Sequence, residues 1–277
     1  MQKLPDTSVL TQRAILTISG PGRKSFLQGL ITNNVEKITD TSALYAALLT
    51  PQGKYLHDFF ISEVDDTLYL DCERDRLADL YRRLMMYKLR AEVDITDCSG
   101  AYTVLATSDR IEDSLICYPD PRHAAMGFRA ILAASPVENT HNSGTDYDSH
   151  RLALGLPDGS RDFDVDRTLI LEGNMEQLNG VDFNKGCYVG QEVTARMKHR
   201  SNLKKRLLPV TVEGDLPERG TEITDDNGKK IGDIRSGRDG QAIGYFRLAH
   251  MEFDQTYVCG QASVTPWRPD WLTEQDT

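Results

Sequence analysis

The run Lys185-Gly186-Cys187-Tyr188-Val189-Gly190-Gln191-Glu192 sets one thiol between two glycines, beside a cation and ahead of a stretch of helix formers. Cysteine chemistry belongs to the thiolate, which a nearby cation and a helix N-terminus both favour. Gly186 and Gly190 permit a tight turn and positive φ. Gln191 to Lys198 predicts a helix whose first N–H groups point back toward Cys187. Glu192 and Arg196 stand four apart with the acid first, the better order for a pair across one helical turn, which brings Arg196 near the thiol. Cys187 is thus the candidate nucleophile or ligand, with Lys185 and Arg196 as its activating cations. The competing reading is a buried, inert cysteine in a glycine-rich turn. The polarity of Lys185, Gln191, Glu192 and Arg196 argues against it.

Other chemistries fail on spacing. Five cysteines (72, 98, 117, 187 and 259) are spread widely with no pair two residues apart. This points to a reducing compartment, the cytoplasm or an organellar matrix, and away from a zinc ribbon or a protein-held iron–sulfur centre. Cysteines other than Cys187 read as small core residues. Six histidines show no paired ligand spacing, so no catalytic metal is expected. Lys24-Ser25 imitates a phosphate loop, but Arg23 stands where glycine is required. Asp162, Asp164 and Asp166 imitate a calcium loop, but Arg167 takes the glycine position, leaving an exposed acidic strand or loop.

Charge narrows the partners. The chain has 277 residues with 42 acidic and 32 basic side chains, net −10, which repels nucleic acid and anionic membranes. The one basic cluster, Arg196, Lys198, Arg200, Lys204, Lys205 and Arg206, could meet a polyglutamate tail, an acidic partner or RNA phosphates, or be a solvated hinge. No run is apolar enough for a membrane span, and the first residues lack the apolar centre of a signal peptide.

The elements that must position the octet follow from periodicity. Residues 14–19 alternate like a strand, Gly20-Pro21-Gly22 turns into a helix with Phe26, Leu27, Leu30 and Ile31 on one face, and 43–49, 55–64 and 68–70 continue as an antiparallel meander. Residues 74–89 predict the clearest helix, with Leu77, Leu80, Tyr81, Leu84, Met85 and Lys88 at helical spacing. Strands at 93–96, 102–106 and 128–133 complete a strand–helix–strand subdomain over about 43–135, followed by a polar loop at 138–144. After a hinge at 200–205, short strands at 207–212, 222–223, 230–234, 242–246 and 261–264, with an Asn227-Gly228 hairpin signal, predict a small barrel. The chain then divides at about 1–200 and 201–277.

The octet closely resembles the signature of the YgfZ family, folate-binding proteins related to the aminomethyltransferase (T protein) of the glycine cleavage system. Phe26-Leu27-Gln28-Gly29-Leu30-Ile31-Thr32-Asn33-Asn34, Leu49-Thr50-Pro51-Gln52-Gly53-Lys54, Arg151 to Pro157 and Asn174 to Phe183 resemble further landmarks of that family, from about residue 15 to 206. The resemblance implies an α+β T-protein-like fold with a ferredoxin-like subdomain and a small C-terminal β-barrel. It also implies a central cavity for tetrahydrofolate or a derivative. A pterin needs stacking surfaces and paired donors and acceptors, and its glutamate tail needs cations. The candidates are Tyr147, Asn33, Glu172 and Asn174 for the ring, Lys185, Arg196 and Lys198 for the tail, and Gln191 beside them. Positions aligned with pocket tryptophans of the family hold Arg13 and Tyr147. Where the T protein has two adjacent acids this chain has His57-Asp58.

Two functions follow from the resemblance. One is a folate-binding accessory protein for maturation or repair of iron–sulfur enzymes, with links to tRNA modification through such enzymes. Its partners would be client iron–sulfur enzymes or assembly factors, and Cys187 a nucleophile or transient sulfur or metal ligand. The other is a folate-dependent aminomethyltransferase of glycine-cleavage type relying on an acid such as Asp58. A Cys–His hydrolase is disfavoured, because cations already flank the thiol.

Overall fold

The computed structural model describes residues 7–134, 145–200 and 203–274. After β1 (Thr7–Val9), the chain builds a ferredoxin-like unit from β2 (Arg13–Ser19), α1 (Arg23–Gln28), β4 (Tyr55–Val64), β5 (Thr67–Glu73), α2 (Leu77–Lys88) and β6 (Asp94–Asp97). These strands lie antiparallel in the order β4-β5-β2-β6, and β3 (Leu44–Leu49) adds outside β4. Asp65 and Asp66, both at positive φ (44° and 60°), make the two-residue turn between β4 and β5, the conformation such a hairpin demands.

The helices pack on one face of this sheet. Leu77, Leu80 and Leu84 of α2 are buried against Leu16, Ile18 and Ile95 of the strands. The apolar stripe is narrower than its sequence period suggests: Met85 is 40% exposed, because only one edge of the helix reaches the sheet.

The strands that follow do not extend the same unit. β7 (Tyr102–Thr107), β8 (Ile116–Pro119) and β9 (Phe128–Ala133) form a second sheet with β1, in the order β1-β7-β9-β8. The ferredoxin-like unit therefore runs from β2 to β6, residues 13–97, rather than over about 43–135. Alternation reveals a strand but not its partner, and β2, central in the sheet, pairs with strands more than 50 residues away. The 138–144 loop, and residues 201–202 of the expected hinge, lie outside the described residues.

α3 (Thr145–Ala153), α4 (Gly159–Asp162) and α5 (Gln191–Arg200) lead to a closed barrel. Its strands are β10 (Lys205–Glu213), β11 (Glu222–Thr224), β12 (Lys230–Arg238), β13 (Gln241–Arg247), β14 (Tyr257–Cys259) and β15 (Ala262–Pro266), closing in the order β10-β13-β12-β11-β14-β15 around a core of their own. Of the acidic triplet only Asp166 is an exposed loop residue. Asp162 is buried against Arg151 at 3.2 Å and accepts from Ser236 of the barrel, while Asp164 pairs with Arg219 and Arg235. These contacts tie α4 to β12.

Where the two sheets meet, the interior is ionic. Asp71 of β5, fully buried, accepts from Arg13 Nε of β2 at 2.6 Å and from Arg129 Nε and Nη2 of β9 at 2.9 and 2.5 Å. Arg122 pairs with Asp120 through two bonds of 3.0 and 2.7 Å, and Arg122 and Arg129 both donate to the Tyr147 hydroxyl of α3. The Phe60 ring lies under this group, 4.0 Å from Arg129 Cζ and 4.9 Å from Arg122 Cζ. Burial opposes the charge on Arg13 and on Asp120. The carboxylates beside Arg13 outweigh it and raise the guanidinium pKa, while the Arg122 charge holds the Asp120 carboxyl below the usual range.

Breaking one partner of such a set strands a charge in the interior. Arg129→Met should destabilise the chain by about 3–5 kcal/mol, whereas an exposed control such as Arg82→Met should cost under about 0.5 kcal/mol; urea unfolding monitored by fluorescence measures both.

Candidate functional site

Three sequence landmarks converge on the octet. Lys185 is buried, and its ammonium donates to the carbonyls of Gln28 (2.8 Å), Ile31 (2.6 Å) and Asn33 (2.7 Å), just past the C-terminal end of α1. Such carbonyls lack helical partners and attract cations. Val189 N donates to Gly29 O at 3.2 Å and Asp182 N to Thr32 O at 3.0 Å, so main chain on both sides of the thiol is stitched to the segment 28–34. On the other flank Gly190 (φ 86°) rests against the turn 50–53. A Cβ there would come within 2.6 Å of Thr50 O, which explains the glycine.

Between these anchors Gly186 and Cys187 stand exposed, and a Cβ on Gly186 would meet nothing within 4 Å. Cys72, Cys117 and Cys259 are buried, with burial pushing the Cys72 and Cys259 thiols up to about 12 and about 11. Cys98 is half-buried, 3.4 Å from Thr17 Oγ1. Cys187 is the exposed cysteine of the five.

The two cations assigned to the thiol are spent differently from the sequence expectation. Lys185 Nζ is saturated by its three carbonyls and lies 5.1 Å from the Tyr188 ring, so it fixes the loop instead of contacting the sulfur. Burial draws its pKa down to about 8, against the opposing pull of Asp182. Arg196, on exposed α5, pairs with Glu192 at 2.5 Å as their spacing requires. Three more of the basic cluster are engaged, Lys198 with Glu176, Lys205 5.1 Å over the Tyr245 ring and Arg206 buried beside Asn174, while Arg200 and Lys204 are exposed.

The residues assigned to a folate ring do not gather. Tyr147 sits in the ionic junction, its hydroxyl accepting from two arginines. Glu172 accepts from Tyr245 OH (2.6 Å) and Leu169 N (3.1 Å). Asn174, at φ 62°, gives its amide to Leu207 O (2.7 Å) and takes a bond from Arg206 (2.5 Å), fastening the body to β10. Asn33 donates to the carbonyls of Tyr45 and Asn179, both at 2.8 Å. Gln191 opens α5 with its N–H on Tyr188 O. These are interior hydrogen-bonding side chains, a role that sequence alone does not separate from ligand binding.

A cleft of about 580 Å³ lies beside the octet and includes two of the candidates, Asn33 and Lys198, with Lys37, Tyr45, Asn179 and Phe183 among its other walls. Cys187, Tyr147, Glu172, Asn174 and Gln191 are not in its lining. Lys198 Nζ stands 5.7 Å over the Phe183 ring and Lys37 pairs with Asp182 at 2.7 Å. The cleft carries the Phe183 ring and two lysines, each paired with an acid of its own walls, Lys37 with Asp182 and Lys198 with Glu176. Tyr147, Glu172 and Asn174 lie outside it, with their polar atoms bonded within the fold.

Sequence reasoning named Asp58 but missed the two phenols that hold it. Asp58, 4% exposed, accepts from Tyr45 OH at 2.9 Å and Tyr55 OH at 2.6 Å, so both its oxygens are held. Burial, then the charge of Asp58, push both phenols far above their ordinary range and keep them protonated as donors. The adjacent His57 turns the other way, to Asp79 of α2 at 2.9 Å, with burial lowering its pKa to about 4. Tyr55 stands three residues before Asp58 on β4, and Tyr45 reaches it from the directly paired β3, a contact set by strand pairing and not by sequence spacing.

Residues 4–108 match the GCVT N-terminal domain, and residues 204–274 match the CAF17 C-terminal beta-barrel domain. The chain is 30% identical over 303 residues to the mouse protein named "Iron-sulfur cluster assembly factor IBA57, mitochondrial", covering 95% of this chain and 84% of that one. The chain belongs to the IBA57 family. The human protein of the same name is 32% identical over 263 residues, covering 83% of this chain and 74% of its own length. A homologue from Neurospora crassa is 33% identical over 239 residues, and there the match spans 76% of this chain but only 54% of the relative. The aminomethyltransferase T of the glycine cleavage system from Bartonella henselae superposes with a TM-score of 0.76 at 15% identity, over 98% of this chain and 86% of that chain. That likeness is one of fold, and the T-protein-like α+β architecture with its terminal barrel is as the sequence motifs implied.

In the native protein, iodoacetamide should label Cys187 ahead of the other four cysteines, mapped by peptide mass spectrometry. Lys185→Met should cost about 2–3 kcal/mol of stability and speed amide exchange at Asp182 and Val189, since each released carbonyl loses a charged donor. Faster labelling of a different cysteine, or unchanged exchange at those amides, would contradict this account of the loop.

Proposed function

We propose that this chain is an iron–sulfur cluster assembly factor in which Cys187 lends one thiolate to a cluster in transit between proteins. One observation carries the reading: a single exposed cysteine on a loop fixed from both sides, in a chain whose relatives bear that name. Clusters are held by several thiolates, and the other four cysteines are within the fold. The remaining ligands would therefore come from a client enzyme or a second assembly factor, so the cluster would be shared across an interface. In this scheme Lys185 acts through the main chain. Its three carbonyl bonds hold Gly186-Cys187 outward, so ordering the loop costs little when the partner arrives. The compartment would be a reducing one, and the named relatives are mitochondrial.

The finer part of the proposal is a tetrahydrofolate, or a derivative, in the cleft lined by Asn33 and Lys198. Lys37 and Lys198, released from Asp182 and Glu176, would hold the glutamate tail, and Phe183 would offer a ring face. Asn33 would shape the wall through its bonds to Tyr45 and Asn179 without touching the ligand itself. The aminomethyltransferase alternative gains no observation here, since both oxygens of Asp58 are held by phenols.

In cells that depend on this chain, Cys187→Ser should reduce client iron–sulfur enzyme activity to the level seen without the chain, while the purified variant keeps the wild-type melting temperature. Client activity equal to wild type would remove the thiol from the mechanism. For the cleft, titration with tetrahydrofolate followed by calorimetry should show saturable binding that weakens about tenfold or more in Lys198→Glu, the loss of one charged contact to a carboxylate. Equal binding by that variant would place the folate elsewhere or nowhere.

A further inference from the structure

β6 is the last strand of the five-stranded sheet and pairs only with β2. Cys98 N donates to Ile15 O, so by alternation Asp94 and Thr96 turn their main-chain groups to β2 while those of Ile95 and Asp97 face outward. Among the described residues no backbone group pairs with that outer edge. An open edge is a template for another strand.

The edge does not face bulk solvent alone. α2 runs alongside, and a groove of about 520 Å³ lies between them, walled by Leu77, Ala78 and Tyr81 on the helix and Ile95 and Thr96 on the strand. Ala78, Tyr81 and Met85 fall at helical spacing on one stripe. Beyond the groove the apolar surface continues. Among the described residues seven large hydrophobic side chains are exposed, and four of them, Met85 (40%), Met86 (71%), Tyr87 (39%) and Leu89 (88%), lie within five consecutive positions. Leu89, at φ 42°, ends the helix in a backbone conformation that favours glycine. Four exposed large apolar side chains at one helix end, close to an unpaired strand edge, mark this end of α2 as a candidate interaction surface.

We propose that the groove between α2 and the open edge of β6 binds an extended segment of a partner protein by strand addition. An extended chain supplies main-chain donors and acceptors to Ile95 and Asp97 and sends alternate side chains against Tyr81 and Met85. A helix has no free main-chain groups to offer. A second copy of this chain is disfavoured, because pairing two β6 edges would crowd the Asp94 and Asp97 carboxylates of both molecules, each of net charge −10, along one short ladder. Asp94, 84% exposed with Lys88 Nζ 3.7 Å away, and the exposed Asp97 instead favour a segment with aliphatic residues at alternate positions and a lysine or arginine near each end. This surface is independent of the thiol, so its test is separable from that of Cys187.

The probe is a fluorescein-labelled nonapeptide alternating valine and threonine, with a lysine at each end, titrated with the full chain by fluorescence anisotropy. We expect saturable binding, unchanged in Cys187→Ser, and lost by about tenfold or more in Ala78→Trp, which fills the groove from an exposed helix position, and in a probe N-methylated at alternate amides. Bound probe should also slow amide exchange at Ile95 and Asp97. Equal binding by Ala78→Trp or by the N-methylated probe, protection confined to other residues, or no binding would each overturn strand addition at this edge. A dimer in sedimentation equilibrium that Ala78→Trp dissociates would assign the groove to a second copy instead.

Discussion

Asp71 is the hinge of the architecture, since a carboxylate with no access to water is tolerable only if cations meet it from more than one side. Arg13 comes from the neighbouring strand of the same sheet and Arg129 from the second sheet, so this single acid fixes the angle and spacing of two layers that share no strand. Arg129 then reaches Tyr147, and Arg122 joins the same hydroxyl, which brings α3 into the set. An apolar junction would bind the layers as firmly. The ionic one adds direction, because each guanidinium satisfies its acceptors in only one orientation.

From that junction the order passes outward to the surface loop. β3 and β4 stand in the same sheet as Asp71, and Tyr45 of β3 and Asn33 are linked by a bond from the Asn33 amide to the Tyr45 carbonyl. The carbonyl of Asn33 is in turn one of the three that receive Lys185. A chain of hydrogen bonds thus connects interior strands to the loop bearing Cys187, and the lysine is its last link. The three acceptors surround one ammonium group, so the loop is fixed by a single side chain from within, without a cap that would cover the thiol.

Much of this was legible in the sequence, and what was not has a common cause. Strand β4 was bounded to the residue by the turns on either side of it, Pro51-Gln52-Gly53 and Asp65-Asp66, and the Glu192–Arg196 pair followed from helical spacing, because both signals are local. The motifs around Asn33, Thr50 and Lys185 were recognisable singly. Their meeting, which turns Lys185 from an expected thiol partner into an anchor, depends on contacts across more than 150 residues. The interior bonds of Tyr147, Glu172 and Asn174 were hidden for the same reason. A buried polar residue that serves the fold and one that awaits a ligand have the same identity in the chain, and only the partner at the end of the hydrogen bond separates them. Arg129 and Asp71 interrupt apolar strands in a way that signals burial of charge, but nothing local says that they find each other.

The division between interior and surface also bears on where chemistry can occur. In the interior the ionisable groups answer one another: Asp58 takes two phenols, Asp71 two guanidinium groups, and Asp120 is paired with Arg122. A group so satisfied has lost the capacity to accept a further proton or bond without breaking an existing one, at the cost of leaving a buried donor unpaired. The thiol of Cys187 is under no such constraint. It sits on a backbone already paid for by Lys185 and Gly190, and it faces solvent, where a soft ligand can be offered to a cluster and withdrawn without disturbing the core. In the proposed role, a fold shared with an aminomethyltransferase at 15% identity would have its working atom on the surface, outside an interior whose charges satisfy one another.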